Sequence, residues 1–385
     1  MFLETTERRN PNLIKAAIKL HRDGAILPDT YVLDLDQIVE NAKILKKKAD
    51  ETGIELFYMT KQIGRNPLIS KKISEIGIKN AVVVDFKEAI IMMENNLPIG
   101  NVGHLVQVPK ALLEKVIGYG PKYMTVFSTE MLEEINNVAK KLRKKQKVLL
   151  KVIEPTDEVY EGQFGGFHLA DLEAVSKFSK DLKNIEIVGI TSFPCFLFDG
   201  KNALKPTTNI QTIERAKVIL NENDINISEL NIPSATCSKT IPLIKQIGGT
   251  QGEPGHALTG TTPLHAEMDL EELPSMVYLS EVSHNLDGKA YFYGGGYYRR
   301  GHLENLLVID EKNNYVKDTI ESFGNESIDY YLTAKNSHSV GSTVIAAFRT
   351  QIFVTRSDIA VVSGISSANP KLEGIYNSLG NLIRR

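Results

Sequence analysis

The sequence predicts an α/β protein: a closed (β/α)8 barrel of the TIM type followed by a mostly β C-terminal domain. Three observations carry this expectation. Eight short β-rich runs alternate with amphipathic helical stretches over roughly residues 55–265. Beyond about Leu264 helical periodicity nearly vanishes and strand-like runs dominate. At 385 residues with 42% hydrophobic residues, the chain is long enough for one large domain or two with a sizeable core.

The runs come in order. They are "ELFYMT" (Glu55–Thr60), "NAVVV" (Asn80–Val84), "GNVGHLV" (Gly100–Val106), "YMTVF" (Tyr123–Phe127), "KVLLKVI" (Lys147–Ile153), "IEIVGITSF" (Ile185–Phe193), "SELNIPS" (Ser228–Ser234) and "GGTQGEP" (Gly248–Pro254). The last is assigned by its position more than by propensity. Between them "DFKEAIIMMENN", "STEMLEEINNVAKKLRKK", "LADLEAVSKFSKDL" and "TIERAKVILNEN" repeat apolar residues at three and four, the helix period. Ahead of the runs, the opening to about Gly24 reads as one helix, and "TYVLDLDQIVENAKILKKKADE" as a strand and a helix. The expected domains are a barrel over 26–265 and a β-rich domain over 266–385, joined by 1–25. "SMVYLSEVSHNL", "KAYFYGGGYY", "NLLVIDEKNNYV", "STVIAAFRTQIFVT" and "DIAVVSGI" supply the strands of the second.

Charge and cysteine usage exclude several functions. The formal net charge is −2 and the densest basic run, "KKLRKKQK", closes a helical pattern, where lysines suit the dipole. Nucleic acid and membrane surface are therefore not expected partners. Cys195 and Cys237 show no metal or redox spacing. No stretch is apolar enough to span a bilayer, and "MFLETTERRN" is charged where a signal peptide is apolar. A cytoplasmic protein is the expectation.

In such a barrel, chemistry sits at the C-terminal ends of the strands. Lys61 follows the first run. A desolvated lysine loses its proton more easily, to a pKa of roughly 5–6 in extreme cases, and a neutral amine attacks carbonyls. A surface lysine is the plain alternative for Lys61 taken alone. After the seventh run, "NIPSATCSK" brings the hydroxyls of Ser234 and Thr236, flanking Ala235, and leads into a helix start whose N–H groups suit an anion. After the eighth, "QGEPGHALTG" brings Gly255. The loops after strands seven and eight are the recurrent phosphate site of these barrels. An imine-forming lysine with a phosphate cradle points to pyridoxal 5′-phosphate.

These motifs, in this order over nearly the whole chain, resemble the fold-type III pyridoxal-phosphate enzymes, which include alanine racemase, the ornithine and diaminopimelate decarboxylases and D-serine dehydratase. Among them the chain is most similar to the YhfX-like branch, with its alanine-racemase-type barrel. The resemblance implies that Lys61 bonds the cofactor covalently. Arg65 falls where racemases place a phosphate-contacting tyrosine. "GQFGGF" (Gly162–Phe167) resembles the decarboxylases' Lys-Phe-Gly stretch, with Gln163 in place of lysine and facing substrate. "GITSFP" resembles the strand that carries a stacking histidine, so Phe193 or Pro194 supplies the face here. "GEPGH" resembles the Glu-Pro-Gly-Arg motif, with Glu253 toward the pyridine nitrogen, Gly255 giving an N–H to phosphate and His256 replacing arginine. A carboxylate at that nitrogen favours its protonation and a strong electron sink.

"YFYGGGYYRRGH" resembles the segment that delivers a tyrosine into the neighbouring subunit's site. Tyr297 is then the second acid/base opposite Lys61, with Tyr298 as the one-residue alternative. Tyr298, Arg299 and Arg300 are candidates for the substrate carboxylate. The His-Cys pair of zinc-dependent relatives has no counterpart, so no metal is expected, and His338 and His104 read as a loop residue and a packed residue. The expected function is an amino-acid racemase or epimerase, in a homodimer with shared sites. A decarboxylase is the alternative, ahead of a metal-free dehydratase or a non-catalytic pyridoxal-phosphate carrier.

Overall fold

A computed structural model describes residues 2–322, 324 and 328–385. The chain divides into two compact units: one holds residues 45–60 and 73–255, the other the residues up to Ile44, 61–72 and 256–385.

The first unit is the barrel. Among the described residues its eight parallel strands are Glu55–Met59, Asn80–Val83, Ile99–Val102, Tyr123–Val126, Gln146–Lys151, Ile185–Thr191, Glu229–Asn231 and Gln251–Gly252. They close in chain order, the eighth pairing with the first through Gln251 against Glu55. All eight runs expected from the sequence are present. The eighth is only two residues long, as its Gly-rich composition allows. Helices between the strands start at side-chain caps: Asp85 accepts from Glu88 N–H at 2.7 Å and Ser128 from Met131 N–H at 3.4 Å. The lumen is filled by Phe57, Met59, Val82, Val84, Tyr123, Leu149 and Val188.

The second unit is a sheet covered by helices. Among the described residues it has ten strands, ordered Tyr315–Thr319, Asn305–Ile309, Thr343–Ala346, Met276–Leu286, Thr30–Asp34, Asp358–Ser363, Lys371–Asn377 and Leu382–Arg384, with Lys289–Tyr293 and Tyr331–Ala334 branching from Met276–Leu286. Leu13, Ala17 and Ile18 of the N-terminal helices pack on Val277, Leu279, Ile345 and Val362.

Three expectations are corrected here. The opening segment is not one helix but two, Phe2–Arg9 and Pro11–Arg22. Pro11 has no N–H to continue the first, and Asn10 caps the second by accepting from Leu13 N–H. Thr30–Asp34 lies in this sheet, antiparallel to Met276–Leu286 and parallel to Asp358–Ser363, so residue 26 does not open the barrel. "STVIAAFRTQIFVT" forms a strand only over Thr343–Ala346, then a short 3-10 turn at Ile352–Val354.

Candidate active site

The upper end of the barrel lumen is polar. Strand register puts Lys151 level with Thr191, Thr191 with Asn231, and Asn231 with Gln251. Thr191 Oγ1 donates to Asn231 Oδ1 at 2.8 Å, and Asn231 Nδ2 donates to Glu253 Oε1 at 3.0 Å. Glu253 is 5% exposed, which excludes a solvated turn acid. Its other oxygen lies 3.9 Å from His104 Nε2, and His104 meets Phe193 edge-on at 5.6 Å between ring centroids. A buried carboxylate needs such donors to offset its desolvation. Across the lumen, Thr125 Oγ1 donates to Asn101 Oδ1 at 2.8 Å.

The loop after the seventh barrel strand is unusual in its backbone. Ser234 and Ala235, neither of them glycine, take φ of 84° and 49°. Successive residues of this kind turn their N–H groups into a concavity suited to an anion. The hydroxyls expected to bind phosphate also accept N–H groups from other segments. Ser234 Oγ accepts from Cys195 and Phe196 N–H at 3.1 and 2.9 Å, and Thr236 Oγ1 accepts from Glu253 N–H at 3.0 Å. The turn at Ser234 and Ala235 therefore offers backbone N–H groups, and Thr236 Oγ1, which accepts one N–H, keeps its own O–H as a donor. Phe193 is half-buried, between His104 and Tyr160. Burial, then the charges of Glu253 and Asp157, pushes the Cys195 thiol well above its ordinary pKa and keeps it protonated.

"GQFGGF" folds back on the fifth barrel strand. Phe167 N–H donates to Lys151 O at 2.8 Å. At Gly166, φ is 140° and a Cβ would stand 2.8 Å from that same carbonyl, so only glycine closes this approach. Gln163 is half-buried. Its backbone carbonyl, not its side chain, accepts from Lys151 Nζ at 3.1 Å.

The first barrel strand runs on to Thr60, whose hydroxyl donates to the buried carboxylate of Glu88 at 2.7 Å. Lys61 is the next residue and belongs to the second unit. It is 8% exposed and opens a 3-10 turn, Lys61–Ile63. Gly64 and Arg65 then take φ of 59° and 57°, and the buried Arg65 guanidinium lies 5.2 Å from the Phe353 ring. Within this unit His256 joins Lys61 and Arg65. Its Nε2 accepts from Arg349 Nε–H at 3.2 Å, so Nδ1 carries the proton and donates to Thr261 Oγ1 at 3.1 Å. Desolvation, then the charges of Arg349, Lys61, His265 and Arg300, holds His256 well below the usual imidazole pKa. His256 is therefore a neutral acceptor that orients Arg349, not the cation that arginine would be at this position.

The Gly-rich loop after Lys289–Tyr293 carries Tyr297 and Tyr298, both half-buried, and the exposed Arg299 and Arg300. Asp329 Oδ2 accepts from the N–H of Gly295 and of Tyr297 at 3.0 and 3.1 Å, and Arg356 N–H donates to Gly295 O at 3.1 Å. Tyr297 lines a cleft of about 570 Å3 with Leu303, Thr319, Glu321 and Lys335. His338 Nε2 is hydrogen-bonded to Asp318 Oδ2 at 2.7 Å.

Sequence reasoning passed over three buried polar groups, Lys151, Asn231 and Arg349, whereas His104, read there as packed, is buried against Phe193. Lys151 carried a legible signal, a lysine inside the apolar run "KVLLKVI". Arg349, in "AAFRTQ", had none apart from its apolar flanks.

Residues 33–263 match the alanine racemase N-terminal domain, and residues 277–372 the YhfX-like C-terminal domain. The chain is 43% identical over 383 residues to protein YhfX of Escherichia coli (strain K12), covering 99% of each. Among solved structures, alanine racemase of Clostridium difficile 630 superposes with a TM-score of 0.65 at 17% identity, over 92% of this chain and 99% of that one. D-threonine aldolase from Filomicrobium marinum gives 0.66 at 12% identity, over 91% and 94%. D-threo-3-hydroxyaspartate dehydratase from Delftia sp. HT23 gives 0.65 at 13%, over 90% and 97%. At these identities the likeness is one of fold. Among the described residues no helix is long and apolar enough to cross a membrane.

Proposed function

Because this chain belongs to the alanine racemase N-terminal domain family, a fold family that binds pyridoxal 5′-phosphate, we propose that it exchanges the α-proton of an amino acid, as a racemase or epimerase. The residues present fit the cofactor. Lys61 offers a buried amine, the Ser234–Ala235 turn offers clustered backbone N–H groups, and Glu253 offers a fixed, buried carboxylate. Lys61 would hold the cofactor's aldehyde carbon, the loop from Ser234 to Thr236 with Gly255 and Arg65 its phosphate, Phe193 its ring face and Glu253 its ring nitrogen. When bound, the group supplies an electron sink for charge developing at Cα.

The remaining work falls to the chain's own groups. Racemisation requires one base on each side of a planar centre. Lys61 moves a proton at Nζ on one side and Tyr297 at its phenolic oxygen on the other. Gln163, Tyr298, Arg299 and Arg300 hold and orient the substrate. The observation that carries the racemase reading is the clamp of Asp329 on the Gly295 and Tyr297 N–H groups, which fixes the backbone of the glycine-rich loop that carries the tyrosine. The reading includes a homodimer in which the tyrosine of one subunit serves the other. His256 acts through Arg349.

The test is incubation of single enantiomers from a panel of amino acids in deuterated water, followed by optical activity and α-proton signals. Loss of both is expected, with Tyr297→Phe and Lys61→Ala each slowing exchange by about 10²-fold or more. Lys61→Ala should also abolish the yellow chromophore, whereas Tyr297→Phe should retain it. The burial of Glu253 favours a second reading, decarboxylation, because a protonated ring nitrogen strengthens the electron sink. Stoichiometric carbon dioxide with no exchange in recovered substrate would replace the first reading with the second.

A further inference from the structure

Lys151 is a buried cation that the roles above leave unused. It is the last residue of the fifth barrel strand, at the end where barrel chemistry resides, and it is 2% exposed. Its Nζ has three donors. One meets Gln163 O at 3.1 Å, and the Phe127 ring lies 4.6 Å away. Among the described residues no carboxylate pairs with it. Burial alone pushes its amine down to about 8. Neutral partners of this kind do not offset the desolvation of an ammonium, and the two remaining donors meet no anion among the described residues.

The fold goes to some length to keep this lysine enclosed. The "GQFGGF" loop covers it, at the conformational cost of left-handed Gly165 and Gly166, whose φ values are 129° and 140°. Thr191 stands level with it on the next strand, and Thr191 leads through Asn231 to Glu253. Register therefore places the lysine level with Thr191, Asn231 and Gln251, and Asn231 in turn donates to the carboxylate assigned above to the ring nitrogen. An apolar residue would serve better if the position were only packing. The phosphate of the cofactor has its own cradle at Ser234–Ala235, so the anion left to be matched is one that the substrate brings.

We propose that Lys151 is a specificity-determining residue whose Nζ binds a carboxylate of the substrate, so that the site accepts amino acids and rejects the corresponding amines. This rests on the reading of the barrel end as an amino-acid site. Gln163, assigned to substrate from the sequence, then contributes through its main chain, by aiming the ammonium.

The test uses the full chain with its cofactor and two sets of probes. Calorimetric titration with acetate at pH 7 reads the anion site without any reaction. Spectral titration with glycine and with methylamine, which lacks the carboxylate, reads its place in the substrate site. The expected result is that Lys151→Met weakens acetate and glycine at least tenfold and leaves methylamine within twofold. Lys151→Arg, which keeps the charge, should retain acetate binding and shows that the position tolerates replacement. The proposal is overturned if acetate binds equally to the natural chain and to Lys151→Met, if it binds to neither, or if glycine and methylamine weaken together. Acetate binding that depends on Lys151 in a chain with no cofactor absorbance would uphold the anion site and sink the function proposed above.

Discussion

Gly64 is the hinge on which the placement of Lys61 turns, and its replacement has a calculable cost. Its φ is +59°, and a Cβ there would stand 2.1 Å from Ile359 Cδ1 and 3.2 Å from Ile352 Cγ2. The left-handed backbone costs an alanine about 1 kcal/mol. Forcing a methyl against Ile359 adds an overpacking penalty of about 1–3 kcal/mol. Gly64→Ala should therefore destabilise by about 2–4 kcal/mol. The clash is with the far end of one side chain, so it can be removed separately. Ile359→Val deletes Cδ1 and should cost about 0.5–1.5 kcal/mol alone. In the double variant the two penalties should not add, and a favourable coupling of about 1 kcal/mol or more is expected. The assay is urea unfolding of all four chains, followed by tyrosine emission, since the sequence has 14 tyrosines and no tryptophan. Strict additivity, or a Gly64→Ala cost below about 0.5 kcal/mol, would refute the reasoning, because surface-like tolerance is incompatible with a packed left-handed turn.

Two further outcomes can be checked. Asn231→Ala removes the donor to Glu253 Oε1 and the acceptor of Thr191, and should cost about 1–3 kcal/mol in urea unfolding, as expected for a buried carboxylate losing its partner. His265 is buried with Nδ1 against Thr262 Oγ1 at 2.6 Å, and burial followed by the charge of Arg9 lowers its pKa from 6.5 to about 3. It is neutral in both folded and unfolded chains above pH 6.5, so its contribution is complete there. Between 6.5 and about 3 only the unfolded chain gains the proton, and stability falls with falling pH by up to about 1.4 kcal/mol per unit. His265→Asn should flatten the acid limb of the stability profile, and an unchanged slope would contradict the burial of a neutral ring.

The barrel was legible because its signal is local. Each strand is an apolar run and each helix a three-to-four repeat, and both can be read within ten residues or so. The order of motifs also set Lys61, Glu253 and the loops after the last two barrel strands at strand ends, since these follow strands by position. The partners that hold the hydroxyls of Ser234 and Thr236 were not legible, because Cys195, Phe196 and Glu253 lie 17 to 39 residues away in the chain.

The sequence by itself determined a (β/α)8 barrel and a β-rich partner unit, because periodicity and residue type dictate those. Only the tertiary structure decided that Thr30–Asp34 pairs in the sheet with Asp358–Ser363, that His256 is a neutral acceptor for Arg349, and that Lys151 is buried with no carboxylate paired to it among the described residues. Those facts depend on register and on which distant groups share a desolvated space. Hydrogen-bond partners and charges act through distance, and the folded chain sets that distance.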